Sequence, residues 1–125
     1  MIFDTNALSA FLLADRALLA VVPVSVVIRL PVIVLGEYRF GLLKSRERVK
    51  LGRLLDEFQK VVEALPVDEM TVHPYAEIRE QLHKAVRPIP QNDTWIAALA
   101  VQHQLPILTK DRHFETIAGV RCVSW

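Results

Sequence analysis

The sequence predicts an α/β domain built on a parallel sheet, and three observations carry that prediction. Short apolar, often β-branched runs stand at 1–4, 26–34, 106–108 and 120–123, each bounded by polar or turn-forming residues, as buried strands are. Between them lie longer stretches whose apolar residues recur every three or four positions, the period of an amphipathic helix. A chain of 125 residues supports one hydrophobic core and is too short for two, so 1–125 read as a single domain. Hydrophobic residues make up 52% of it, with no repeat or low-complexity stretch, which favours a packed core over disorder.

Met1-Ile2-Phe3-Asp4 reads as a strand closing on an acid, and Thr5 or Asn6 can cap the helix that follows through Ser9, Phe11 and Leu12. Asp15 can cap a second, short helix over 16–22. Pro23 and the run 26–34, broken by Pro31, predict a short strand leading into a helix over 34–44. In 46–64 the residues Val49, Leu51, Leu54, Leu55, Phe58, Val61 and Val62 keep the helical period, and Pro66 ends this helix or opens a strand-like connection. A helix over 71–86 follows, with Pro74 tolerated in its first turn and Tyr75, Ile78, Leu82 and Val86 on one side; Pro88-Ile89-Pro90 stops it. Asn92 or Asp93 can cap a helix over 94–104, where Ile96, Leu99, Ala100 and His103 share a face. Residues 106–108 form a strand, Lys110-Asp111-Arg112 turns after it, a short helical piece holds Phe114 and Ile117, and 120–123 alternates as a last strand.

Several function classes are excluded by the same reading. The longest nearly apolar stretch, 17–28, is interrupted by Pro23 and Ser25 and is too short to span a membrane. No basic region precedes an apolar run at the N-terminus, so no signal peptide is read and a cytoplasmic location is expected. Cys122 is the only cysteine, which excludes an internal disulfide and a thiolate zinc cage; it reads as a core residue. A formal charge of +1 makes no case for a nucleic-acid partner, although Arg39, Lys44, Arg46, Arg48, Lys50 and Arg53 stand against Glu47 alone, either a basic surface or a solvated helix face.

Four acids remain as candidates for chemistry. Asp4 and Asp111 follow strands, at the carboxyl edge where open parallel sheets bind ligands, although a helix cap explains the first and a turn the second equally well. Asp93 opens a helix, where capping or the helix dipole suffices. Glu37 has no such ordinary explanation. Three residues after Val34 and four before Gly41, it is turned by helical spacing towards the apolar face of 32–42, where an uncompensated carboxylate is costly. Arg39, two residues away, does not face it. Carboxylates gathered at one sheet edge raise one another's pKa unless a cation is present. Oxygen ligands with no thiolate or imidazole suit Mg²⁺, with Mn²⁺ as a substitute, over zinc. Such ions act on phosphates by lowering the pKa of a bound water and stabilising the leaving oxygen, so hydrolysis of a nucleic-acid backbone is the reaction class.

These residues resemble the PIN-domain nucleases, in particular the VapC-like toxins of type II toxin–antitoxin modules. The resemblance covers nearly the whole chain and rests on Asp4-Thr5-Asn6 after the first strand, Gly36-Glu37-Tyr38-Arg39-Phe40-Gly41, Pro90-Gln91-Asn92-Asp93 before Ile96-Ala97-Ala98, and Thr109-Lys110-Asp111 before Phe114. Each motif is weak alone; order and spacing together are specific. The resemblance implies a three-layer α/β/α PIN-like fold with Asp4 and Asp93 as principal Mg²⁺ ligands, Glu37 and Asp111 completing the catalytic pocket, and Thr5, Asn6 and Thr109 orienting those acids. It further implies an RNA substrate, a homodimer and a VapB-like antitoxin whose tail occupies the active-site groove. A free-standing toxin is expected over an RNA-processing module, because the chain is little more than the domain.

Arg39, Lys110 and Arg112 neighbour the acids and are candidate RNA-phosphate contacts, with solvated surface as the plainer explanation. His73, His83, His103 and His113 stand at spacings that indicate no shared site, and Trp95 reads as packing more readily than as a base-stacking platform. Two rival readings are a receiver-like phosphoacceptor domain and a catalytically inactive RNA-binding PIN module. The first needs an acidic pair after the first strand, where Thr5-Asn6 follow Asp4; the second is disfavoured by the presence of all four acids.

Overall fold

The computed structural model describes residues 1–125 as a parallel sheet covered by helices on both faces. Its strands are β1 (Ile2–Phe3), β2 (Arg29–Pro31), β3 (Glu63–Leu65), β4 (Ile107–Leu108) and β5 (Cys122–Val123), in the order β3-β2-β1-β4-β5. The helices are α1 (Thr5–Leu12), α2 (Arg16–Val21), α3 (Val32–Leu42), α4 (Arg48–Gln59), α5 (Glu69–Lys84) and α6 (Gln91–His103), and a 3-10 turn over Arg112–Thr116 leads to β5. The chain steps outward from β1 to β3, then returns across the sheet to lay β4 on the free side of β1. Parallel crossovers have one hand, so the returning pair α5 and α6 covers the face opposite α1 to α4. The packing agrees, with α1, α3 and α4 in mutual contact and α5 lying along α6. The expected three-layer arrangement is the one that forms.

Ile2, Phe3, Leu30, Ile107 and Leu108 of the sheet are fully buried, beside Leu8, Leu18, Val34 and Leu55 from one helical layer and Ile78, Leu82, Ile96 and Leu99 from the other. Each such side chain contributes about 1.5–3 kcal/mol by leaving water. Helix α6 is buried over Thr94 and Ile96 to Ala100, wider than the single face expected for it, because it lies centrally. No helix is long and apolar enough to cross a membrane.

Several boundaries differ from expectation for local reasons. Residues 46–64 are not one helix: α4 ends at Gln59, and Glu63–Leu65 is an edge strand. Val61 and Val62 extend the helical period by coincidence, while the strand buries only Leu65 and is held by a cross-strand Arg29–Glu63 ion pair of 3.0 Å. Helix α5 starts earlier than residue 71, since Asp68 accepts from the Met70 N–H at 2.9 Å and Thr71 Oγ1 accepts from the Asp68 N–H at 3.1 Å. Pro74 therefore lies beyond the first turn. Asp4, rather than Thr5 or Asn6, caps α1, and α6 begins at Gln91 behind Pro90, which places Asn92 and Asp93 inside its first turn. Cys122 is half-buried at the sheet edge.

Candidate active site

The sheet order reverses at β1, whose two neighbours β2 and β4 are reached by connections running in opposite directions. A crevice opens beyond the carboxyl ends of the strands at such a point. Asp4 follows β1 directly, and Thr109 follows β4. Asp4 is 5% exposed; its Oδ1 accepts the Ala7 N–H at 2.7 Å and its Oδ2 accepts a short hydrogen bond from Thr109 Oγ1. Thr109, itself buried, also receives the Asp111 N–H at 2.9 Å, so one hydroxyl ties the acid after β1 to the acid after β4. Asp111 in turn caps the 3-10 turn through the His113 N–H at 2.9 Å.

Glu37 and Asp93 close the other side. Helix α3 turns Val34, Tyr38 and Leu42 into the core, and Glu37 flanks that stripe. It is half-buried, which corrects the expectation of a buried carboxylate turned towards the apolar face. Its carboxylate is held by Thr5 Oγ1 at 2.5 Å and by Asn92 Nδ2 at 2.6 Å, one donor from α1 and one from α6. Asp93 lies one residue beyond Asn92, and the His113 imidazole Nδ1 stands 3.6 Å from Asp93 Oδ2 and 3.1 Å from Asp111 Oδ1. The metal-binding atoms of Asp93, Asp111 and His113 all lie within 4.8 Å of one another.

The electrostatics record this convergence. Burial, then the charges of Asp111 and Glu37, push the Asp93 carboxyl up to about 6, with His113 acting in the opposite sense. Asp4 is also raised, chiefly by burial and additionally by Asp111, against hydrogen bonds from Thr109, Ala7 and the Asn6 backbone. Asp93 thus senses both Asp111 and Glu37, and Asp4 senses Asp111, which links the four acids of the sequence reading at one edge of the sheet. Such uncompensated negative charge, presented by oxygen donors, fits a divalent cation such as Mg²⁺ or Mn²⁺.

The remaining expectations divide. Thr5 and Thr109 hold carboxylates, whereas Asn6 is exposed and acts on Asp4 only through its backbone. Arg39 points away, donating to Asp56 at 2.6 Å and to Gln59 at 2.7 Å on α4. Lys110 lies 4.5 Å above the Trp125 ring, and Arg112 is exposed beside Asp111. Two participants were missed. Asn92 read as an alternative cap, and His113, set aside as isolated, brings an imidazole into a site expected to have none. No local pattern marks His113; it arrives because the 3-10 turn capped by Asp111 folds it back.

A parallel sheet of this order with four carboxylates at its switch point defines a PIN-like α/β protein. The PIN domain family model matches residues 1–120. Ribonuclease VapC4 of Mycobacterium tuberculosis is 34% identical over 95 residues, covering 74% of this chain and 73% of that protein. The crystal structure of VapBC-5 from the same organism, a member of the VapBC family of toxin–antitoxin systems, superposes with a TM-score of 0.80 at 29% identity over 99% of this chain and 97% of the other. VapBC2 of Rickettsia felis shares the fold, with a TM-score of 0.87 at 23% identity over 100% and 99% of the two chains. The chain belongs to the PIN-domain family, among the VapC ribonucleases. Membership sets aside the receiver-like alternative.

Proposed function

We propose that residues 1–125 act as a single PIN domain, a metal-dependent endoribonuclease that is the toxin of a cytoplasmic toxin–antitoxin pair. The observation that carries this is the gathering of carboxylates around Asp93, which burial, Asp111 and Glu37 push up to about 6. Asp4 and Asp93 would be the principal ligands of a divalent cation, Asp111 and Glu37 completing the set. When bound, the cation supplies Lewis-acid activation of water and neutralises charge on the phosphodiester.

The chain's own residues do the positioning. Thr109 fixes the Asp4 carboxylate against Asp111, and Thr5 with Asn92 fixes Glu37, so the acidic surface is set before substrate arrives. Asp4 and Asp111 each spend one oxygen on a helix-cap hydrogen bond and keep lone pairs free. His113 Nδ1 reaches both Asp93 and Asp111 and acts to lower the Asp93 pKa, against the burial and neighbouring charges that raise it.

Relatives that are toxin–antitoxin complexes support a cognate VapB-like antitoxin. A homodimer is part of the same reading. Two exposed apolar surfaces are available to such partners, Phe40, Leu43 and Val49 on the α3–α4 side, and Met70 and Val72 at the start of α5. The test is cleavage of RNA by purified protein with Mg²⁺ or Mn²⁺. Activity should vanish with EDTA and on Asp4→Ala; undiminished cleavage by Asp4→Ala, with contaminating nucleases excluded, refutes the reading.

A further inference from the structure

A groove between the end of α5 and the start of α6 contributes no side chain to the acidic site. Open on one side, it offers about 490 Å³, room for one nucleotide, between Arg79, Leu82, His83, Val86, Ile89 and Thr94. Thr94 directly follows Asp93, so the groove's lining reaches to within one position of the acidic site along α6.

Three features set this groove apart from ordinary surface. Arg79 has no carboxylate partner, because the nearby acids of α5 are engaged elsewhere, Glu77 with His73 at 3.2 Å and Glu80 with Lys84 at 3.1 Å. Its guanidinium instead lies 5.8 Å from the Tyr75 ring and donates to the Tyr75 hydroxyl at 3.2 Å. A guanidinium held by an aromatic ring at the edge of a cavity keeps donors free for phosphate. Next, Tyr75 and Trp95 are stacked, with centroids 3.6 Å apart and planes 13° from parallel, and Gln91 Nε2 pins the Tyr75 hydroxyl at 3.0 Å. Trp95 is half-buried on Tyr75 without joining the apolar core. Last, Val86 follows the C-cap of α5 with φ +52° and 84% exposure. A β-branched residue is strained there, where glycine is the usual choice, and the strain keeps an apolar side chain at the lip of the groove.

We propose that this groove is a nucleobase subsite for single-stranded RNA beside the scissile phosphate. One base enters between Leu82, Val86 and Ile89, His83 faces the base edge, and Arg79, held by Tyr75 of the Tyr75–Trp95 pair, bridges to the adjoining phosphate. The inference rests on the nuclease reading, so its test separates binding from cleavage.

A fluorescein-labelled 12-nucleotide RNA pool of random sequence is titrated by anisotropy in EDTA, where no turnover is expected. Arg79→Ala should weaken binding about tenfold and Val86→Gly severalfold, the range that loss of one stacked, charge-contacted nucleotide gives. Arg46→Ala, the same charge lost from the turn before α4, should stay within twofold. With Mn²⁺, sequencing of the cleaved pool should show a base preference at one position flanking the cut that Arg79→Ala and Val86→Gly relax, with KM raised more than kcat is lowered. Absence of cleavage by the wild-type chain counts against the nuclease reading, while the metal-free titration still tests the groove. Binding by Arg79→Ala and Val86→Gly within twofold of wild type overturns the proposal. So does a change in oligomeric state of folded Arg79→Ala by size-exclusion, which assigns the groove to a protein interface.

Discussion

Asp93→Asn is expected to make the cation-free protein more stable at neutral pH while removing its activity. The folded-state carboxyl is raised from 3.8 to about 6, so the folded chain holds this proton more tightly than the unfolded chain does. The associated stability is therefore complete below about pH 3.8 and is lost as pH rises through about 6. At 1.36 kcal/mol per pH unit the full penalty approaches about 3 kcal/mol, and solvent screening of a half-buried group reduces it to about 1–2 kcal/mol. The acid also gains about 0.3–1 kcal/mol from its place in the first turn of α6, which asparagine gives up. A net gain of about 0–1.7 kcal/mol remains, or up to about 7 °C in Tm for a domain of this size. The assay is thermal unfolding by circular dichroism in EDTA at pH 7.5 and 4.5. The variant should melt higher at pH 7.5 and level with wild type at pH 4.5. Added Mn²⁺ should raise the Tm of wild type and leave the variant unmoved. A variant less stable than wild type at pH 7.5 shows that the acids do not repel in the native state, and the argument for a cation fails with it.

Thr109→Val keeps the shape of a buried side chain but removes the donor to Asp4 and the acceptor of the Asp111 N–H; a loss of about 1–3 kcal/mol is expected from urea midpoints at unchanged m. At Mn²⁺ below saturation, cleavage should fall about tenfold per unit below about pH 6, since the cation must compete with the proton for Asp93. His113→Ala should carry that acid limb to higher pH, because the imidazole acts to lower the Asp93 pKa; a limb that moves down or stays contradicts the assignment.

How much was legible in the sequence follows from the kind of constraint each element obeys. Strands β1, β2, β4 and β5 are dense apolar runs bounded by turn chemistry, so their existence could be read. Edge strand β3 was invisible, because it buries one side chain and takes its identity from pairing with β2 and the Arg29–Glu63 pair, both set by distant residues. The four acids were legible as candidates, yet the argument that raised Glu37 above the rest was the least accurate. Its carboxylate is half-buried and satisfied by Thr5 and Asn92, partners 32 and 55 positions away that no helical wheel shows. Arg39, beside Glu37 in sequence, belongs to α4 through Asp56 and Gln59. Local spacing names residues of the right type; only the crossovers decide which of them meet.

The capping reading of Asp4 and its functional reading, equal rivals in the sequence, turn out to be compatible. At the carboxyl edge of a parallel sheet each strand end is followed by the start of a helix, so an acid there meets free backbone N–H groups and the crevice together. Asp4 caps α1, Asp111 caps the 3-10 turn and Asp93 sits in the first turn of α6, so three positive helix ends face the carboxylates and offset part of their repulsion. The two roles separate by substitution. Asn caps as well as Asp, whereas Ala at a cap costs about 1 kcal/mol. Asp4→Asn should therefore retain the α1 cap and shed a buried charge whose pKa is raised, while giving up the Oδ2 that accepts from Thr109, and should melt near wild type in EDTA. Asp4→Ala should melt below it. Both should lose cleavage by a hundredfold or more on the order of ligand loss at a metal site, since neither carries the charge. If Asp4→Asn keeps wild-type activity, capping is the whole function of this residue, and the site must be rebuilt around Asp93 and Asp111 alone.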